Sequence, residues 1–407
     1  MSNRIAVIGG GFAGLWSAVS AARARELFAI PDDELEIVLV APDPFHTIRV
    51  RCYEADLEPV RVPLDNVLGP INVRRIEGQV TGIDLTSRTL AMAGARGEMP
   101  DIGYDRLILA AGSSLVRPPV PHGKETFDVD TYAGGRRLAE HLAALARGPG
   151  SDAVGTVVVI GGGLVGVEIA CELPSRLRVA LGADAMVRVV LIDRGDIGAG
   201  MGEGSSVVRD ALQALGVEAR ARTTVTAMSA DGVVLSTGEH IPAATVVFAT
   251  GMRASPLTRD LGVACDRLGR VPVNPFLEVT GVDAIYAAGD CAAARADDEG
   301  HMTVMSCQHA RPMGRLAGHN AVCDIAGRPD DRVAFAAPDY VTVLDLGPHG
   351  ALYTAGWERG TVVAVGAEAK ATKQMINGTR IYPPRNASRD AILAAAAPAI
   401  QARPPVR

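Results

Sequence analysis

The chain has 407 residues, 48% hydrophobic and 21% charged, an ordinary globular composition that excludes disordered and fibrous classes. Its 40 basic and 46 acidic residues leave a formal net charge of −6 with no basic block, which argues against a nucleic-acid partner held through phosphates. Cys52, Cys171, Cys265, Cys291, Cys307 and Cys323 are scattered without any C-x-x-C, which excludes a disulfide framework or zinc ribbon, implies no metal site and fits a reducing, cytoplasmic setting. The chain is long enough for about two or three domains and a large core without cross-links.

The first predicted element is the apolar strand Ile5–Ile8, followed by Gly9-Gly10-Gly11-Phe12-Ala13-Gly14 and a helical stretch. The uncharged run Ile5–Ala22 has the length of a signal or membrane segment, but its glycines mark a strand, a tight turn and a helix. The pattern returns at Val157–Ile160, followed by Gly161-Gly162-Gly163-Leu164-Val165-Gly166. In each G-x-G-x-x-G, the first glycine permits the turn and the second lets backbone approach a pyrophosphate. The third lets helix pack closely on strand, and the helix N-terminus favours the phosphate charge. One such motif is weak evidence, whereas two copies, each after an apolar strand, predict two nucleotide-binding domains.

The second strand of each copy predicts a difference between them. Ile37–Val40 ends at Ala41, and Val189–Ile192 ends at Asp193, at the same distance from the first glycine. A carboxylate there binds an adenosine ribose, so the second copy has the grip and the first lacks it. Asp43, between Pro42 and Pro44, is either its replacement or a turn residue. Farther on, Leu107–Ala111 and Val246–Thr250 are apolar strands running into Gly112 and Gly251. Thr280, Ala287, Gly289 and Asp290 complete a T-x6-A-x-G-D motif at the end of an apolar strand.

This combination resembles the flavoproteins with two dinucleotide-binding domains related to glutathione reductase, over about residues 1–325. Gly161–Leu173, Pro44-Phe45-His46 and Tyr53-Glu54 are most similar to type II NADH dehydrogenase and its soluble relatives. So is a tail of strand-like runs (Tyr340–Leu346, Ala351–Trp357, Thr361–Val365), a helical stretch at Glu368–Asn377 and an alanine-rich helix from Ser388. The resemblance implies an α/β fold with two Rossmann-like domains and a small C-terminal α+β cap. The FAD domain is then split between 1–122 and 253–326, the NAD(P) domain spans 123–252, and the cap spans 327–407. Gly148-Pro149-Gly150 marks the entry to the second domain's first strand.

The resemblance further implies FAD held by Gly9, Gly11, Phe12, Ala13, Gly14, Asp43, Val80, Ala111, Gly112, Gly289 and Asp290, with Gly161, Gly163, Gly166, Asp193 and Gly251 on the nicotinamide nucleotide. NADH is preferred because Asp193 repels a 2′-phosphate, although Arg194 beside it leaves NADPH as an alternative. The implied activity is hydride transfer from NADH to flavin N5, then electron transfer to a quinone-like or other small redox-active acceptor. Alternatives are reduction of a specialised metabolite or a ferredoxin-like protein, or a signalling role resembling apoptosis-inducing factor. Glu168 matches the family glutamate near the nicotinamide; the bland reading is an acid serving the helix dipole in the first turn.

Ser306–Ala310 opens a helix whose N-terminus points at the flavin in the family, with Gln308 on the acceptor side. Pro312-Met313 stands where the type II dehydrogenases carry paired glutamines, so the helix is expected to start late or kink, and quinone as the physiological acceptor is put in doubt. Lys373, Trp357 and His309 are candidates for the acceptor side, a solvated lysine and a packed tryptophan being the simpler readings. Only Cys52 lies where the disulfide reductases carry a redox pair, and the S-F-x-x-C motif of single-cysteine reductases is absent, so no thiol relay is expected. Ser388–Arg403 has too few large apolar residues for a stable membrane anchor, and no motif speaks to oligomeric state.

Overall fold

Two runs of β-branched and aliphatic residues, Asn3–Ile8 and Thr156–Ile160, form the central strands of two parallel sheets in the computed structural model, which describes residues 2–120, 125–146, 153–400 and 402–406. Both sheets have five strands. The first runs in the order Ile285–Ala287, Arg106–Leu109, Asn3–Ile8, Leu35–Ala41, Arg74–Glu77. The second runs Phe127–Asp128, Thr245–Phe248, Thr156–Ile160, Arg188–Ile192, Val217–Arg220. The second sheet packs on helices with one face and on the antiparallel strands between Val225 and Pro242 with the other, so its central strands are buried on both sides and read as unbroken apolar runs. This is the expected Rossmann-like α/β architecture, present twice. Gly148-Pro149-Gly150 lies outside the described residues.

The duplication holds at atomic detail. Gly9 N–H donates to the Val40 carbonyl and Gly161 N–H to the Ile192 carbonyl, both at 2.8 Å. Gly9 has φ +110° and Gly161 φ +113°, a region that side-chain-bearing residues rarely adopt. A Cβ on Gly14 would lie 1.8 Å from the Gly9 carbonyl oxygen, and one on Gly166 1.7 Å from that of Gly161. The third glycine of each motif therefore sets the helix against the turn. In each copy a three-stranded antiparallel meander intervenes before the strand that runs into Gly112 or Gly251, at Gln79–Gly103 and Val225–Pro242 respectively.

The helix Phe12–Leu27 packs along the helix Cys307–Ile325. Their approach is set by glycine: a Cβ on Gly314 would lie 2.3 Å from the Ala13 carbonyl oxygen, and one on Gly318 2.1 Å from that of Ser17. Ser20 Oγ donates to the Arg315 carbonyl at 2.5 Å and fixes the register. The second of these helices begins at Cys307, capped by Ser306, and Pro312 sits inside it. The expectation of a late start is thus corrected. Proline is lost only as a donor to Gln308, and the packing of fifteen buried residues along this helix outweighs that loss.

The tail forms the antiparallel sheet Val341–Asp345, Ala351–Ala355, Thr361–Val365, then the helix Gly366–Met375 and a wide turn Ile376–Arg380. The last helix, Arg389–Ala395, returns to the first domain, where Ile392 and Leu393 are buried in its core. Its large apolar residues face protein rather than a surface. No helix among the described residues is long and apolar enough to cross a membrane.

Gly318→Ala should lower the unfolding free energy by roughly 1–3 kcal/mol, since backbone on the facing helix cannot yield as a side chain would. Urea denaturation followed by circular dichroism measures it; an unchanged midpoint would show that the helices can separate freely.

Candidate active site

The first fingerprint opens onto a cavity of about 920 Å³ lined by the Gly9–Ala13 turn, Ala41–Asp43, Ala110–Ser113, Asp130 and Asp290. Gly11 caps the helix Phe12–Leu27 without any side-chain hydrogen bond, and a Cβ placed there would meet nothing within 4 Å. The turn therefore presents unpaired N–H groups to an open cradle, which fits a diphosphate. Gly163 repeats both features at the second fingerprint. A smaller cavity of about 490 Å³, lined by Gly9, Val40, Val80 and Ala111, adjoins the first strand ends.

His46 secures the first turn from behind. Its Nδ1 donates to the Gly10 carbonyl at 2.9 Å, and its ring meets Phe12 edge-on at 4.7 Å. Burial pushes His46 down to about 4, so it is neutral around pH 7. Asp43 lies at the cavity rim, where its Oδ1 accepts from Phe45 N–H at 3.0 Å and pairs with Arg61. It acts as a turn residue and lines the cavity as well.

Asp290 comes from the short turn Gly289–Cys291 after the strand Ile285–Ala287. Its Oδ2 accepts from Ser113 Oγ at 2.5 Å, Ser113 accepts from Arg49 at 3.0 Å, and Arg49 pairs with Asp130 at 2.5 Å. Burial raises the Asp290 carboxyl above its usual range, against the pull of Ser113 and Arg49. Sequence reading found Asp290 through its motif but missed Arg49, Ser113 and Asp130, which share no local pattern.

In the second domain Asp193 accepts from Gly162 N–H and Gly195 N–H, each at 2.6 Å. The carboxylate thus stands at the glycine turn, each of its oxygens accepting from a backbone N–H. Glu168 lies in the second helical turn, not the first, so the dipole reading falls away. It is buried, accepts from Asp345 N–H at 3.1 Å and pairs with Lys373 Nζ at 2.7 Å. Burial pushes the Glu168 carboxyl up against the pull of Lys373. Burial alone would lower the Lys373 ammonium, but Glu168 and Asp345 outweigh it and hold it above its ordinary value. Lys373 is therefore not the solvated lysine expected: its side chain is 12% exposed and also donates to the Val343 carbonyl.

A further cavity, of about 180 Å³, lies between the N-terminus of the helix Cys307–Ile325 and the cap. Val50, Ser306 and Cys307 line both this cavity and the large one at the first fingerprint. Gln308 lines the smaller cavity, and its amide is anchored by donation to the Asp339 carbonyl at 2.9 Å. His309 and Trp357 instead stack with each other and with Tyr340, outside the cavity wall for those two. The packed tryptophan is as expected, and His309, pushed down to about 4 by burial, is an uncharged packing residue. All six cysteines are free. Burial raises Cys52 and Cys291 to about 12, and Cys307 also lies above its ordinary value for that reason.

The site thus comprises two matching glycine turns, a large cavity at the first of them and a further cavity that shares a wall with it. The chain belongs to the pyridine nucleotide-disulphide oxidoreductase family, whose model matches residues 3–314. It is an NADH dehydrogenase-like oxidoreductase of that family. An NADH dehydrogenase-like protein of Mycobacterium tuberculosis is 52% identical over 98% of this chain and 100% of its own length. The type II NADH:quinone oxidoreductase of the same organism is 30% identical over 72% of this chain and 67% of its own. The structure of NDH2 from Plasmodium falciparum in complex with NADH superposes with a TM-score of 0.78 at 11% identity, over 97% of this chain and 98% of that one.

Lys373→Met should destabilise the protein by about 3–5 kcal/mol, because it leaves the Glu168 carboxylate buried and unpaired. Adding Glu168→Gln should recover most of the loss. A double-mutant cycle by chemical denaturation checks this, and additive losses would mean the two groups are not coupled.

Proposed function

We propose that the chain is an FAD-dependent NADH:acceptor oxidoreductase in which the acceptor occupies the cavity under the cap and no thiol takes part. The observation that carries the reading is the shared wall: Val50, Ser306 and Cys307 separate the fingerprint cavity from the cap cavity. Flavin held there would supply the chemistry that links a hydride from reduced nicotinamide to two-electron reduction of a second substrate, with two protons taken up if that substrate is a quinone.

The protein's own groups then have definite tasks. The amides of the Gly9–Gly14 turn hold the diphosphate, Val80 and Ala111-Gly112 bound the nucleotide, and Asp290 accepts a ribityl hydroxyl in the position Ser113 and Arg49 fix. Asp43 stands in for the carboxylate missing at Ala41. In the second domain Gly161, Gly163 and Gly166 hold the nicotinamide nucleotide, Asp193 accepts from the ribose hydroxyls, and Gly251 leaves its approach open. The N-terminus of the helix Cys307–Ile325 directs its positive end at the flavin cavity and favours electron density there. Glu168 and Lys373 hold the cap against the second domain, so that Gln308 meets the acceptor from a fixed position. The quinone named in the relative's description supports a quinone-like acceptor as a class.

Replacing all six cysteines by serine or alanine should leave flavin reduction and turnover with soluble quinones within about threefold of wild type. A single cysteine change that abolished turnover with flavin retained would move a thiol relay to first place. Turnover should also show no thiol or imidazole ionisation between about pH 6 and 8, because His46 and His309 are already neutral there and the Cys52 and Cys291 thiols stay protonated. NADH should be preferred to NADPH by roughly tenfold or more in kcat/KM through Asp193, and equal values would refute that role.

A further inference from the structure

The cap cavity is lined by four cationic residues, Lys373, Arg311, Arg380 and Arg403, and by the anion Asp339. Two of the cations are answered: Lys373 by Glu168, and Arg403 by Asp339 at 2.5 Å. Arg311 and Arg380 form no ion pair among the described residues. Arg311 is 9% exposed; its Nη1 donates to the Arg380 carbonyl at 2.6 Å, and its Nε is buried without a partner. Arg380 donates to the Ala402 carbonyl, and its Nε is likewise buried and unpartnered. Arg315 stands behind them, its guanidinium 4.2 Å from the centre of the Trp16 ring and that of Arg311 5.3 Å from the same centre.

Like charges held together with unmet donors are unfavourable unless something completes them. Burial, and then Arg315 and Arg380, push Arg311 down to about 9. The cation–π contacts with Trp16 offset part of this but supply no hydrogen-bond acceptor. Arginine forks match a carboxylate in two-point contacts, which a neutral ring substituent cannot reproduce.

We propose that the substrate of this cavity is a planar redox-active molecule bearing a carboxylate, its ring against the wall of Val50, Ser306 and Cys307 and its carboxylate between Arg311 and Arg380. The proposal rests on the reading that the electron acceptor enters this cavity, and it names the class of that acceptor. A neutral quinone enters the same space but leaves both guanidiniums unanswered, and a site built to pair a polar group discriminates strongly against analogues that lack it.

The test uses flavin-loaded enzyme and two probes that share one ring, a methylnaphthoquinone carrying a propanoate side chain and the methyl ester of the same molecule. Dissociation constants from the perturbation of flavin absorbance are compared with turnover of each probe. The acid should bind at least about tenfold tighter than the ester. Arg380→Gln should collapse that ratio toward one; Arg311→Gln should do the same, and the half-buried Arg380 serves as the test if the Arg311 variant does not fold. Equal dissociation constants in the wild type, or a ratio that survives both substitutions, overturns the proposal. If both probes turn over equally with equal affinity, the acceptor cavity stands and the carboxylate subsite falls. If the acid binds tightly through the arginines but neither probe turns over, the subsite stands and the acceptor reading falls.

Discussion

The close approach of two helices through Gly314 and Gly318 governs the rest of the molecule. Backbone meets backbone there, so the helix Phe12–Leu27 and the helix Cys307–Ile325 are held at one separation and in one register. Phe12 and Ala13 at the start of one helix, and Cys307 and Ala310 at the start of the other, consequently line the same cavity. Two N-terminal dipole ends converge on it, one suited to a diphosphate and one to negative charge on a bound ring. The second helix also carries Gln308 and Arg311 to the cap cavity, so one contact positions both sides of the shared wall.

The cap is tied down by apolar residues sunk into the neighbouring cores, Leu344, Leu346 and Leu352 in the second domain and Ile381 and Tyr382 in the first, and by charge. Asp345 accepts from Lys370 Nζ at 2.6 Å and from Tyr53 Oη at 3.1 Å, and its backbone N–H donates to Glu168. Tyr53 belongs to the first domain and its carbonyl accepts from Arg176 of the second, while Trp16 Nε1 reaches the Ile381 carbonyl. Buried ion pairs of this kind fix geometry more surely than they add stability, because each partner is costly without the other. That property suits a cavity whose floor belongs to one domain and whose roof belongs to the cap.

Where chemistry followed local spacing, the sequence was readable. Gly9, Gly14, Gly161 and Gly166 announce tight turns because no other residue fits a few ångströms from backbone, and Asp193 and Asp290 follow their strands at regular intervals. The tail meander was readable from its glycine breaks. Pairings across 64 to 205 residues left no such trace: Lys373 meets Glu168 from another part of the fold, and Arg49 reaches Asp130 and Ser113 by tertiary packing alone. Pro312 misled for a related reason, since local propensity argues against a proline inside a helix and burial on all sides overrides it. The unpaired arginines were invisible because only a folded wall shows which charges lack a partner.

The central claim is that nicotinamide and acceptor bind at separate places on opposite sides of one wall. An initial-velocity matrix with NADH and a soluble quinone, repeated with ADP-ribose and with a redox-inert quinone analogue as inhibitors, tests it directly. The account predicts that ADP-ribose competes with NADH alone and that the analogue competes with the quinone alone. Mutual competition, with each inhibitor displacing both substrates, would show a single shared site and contradict it.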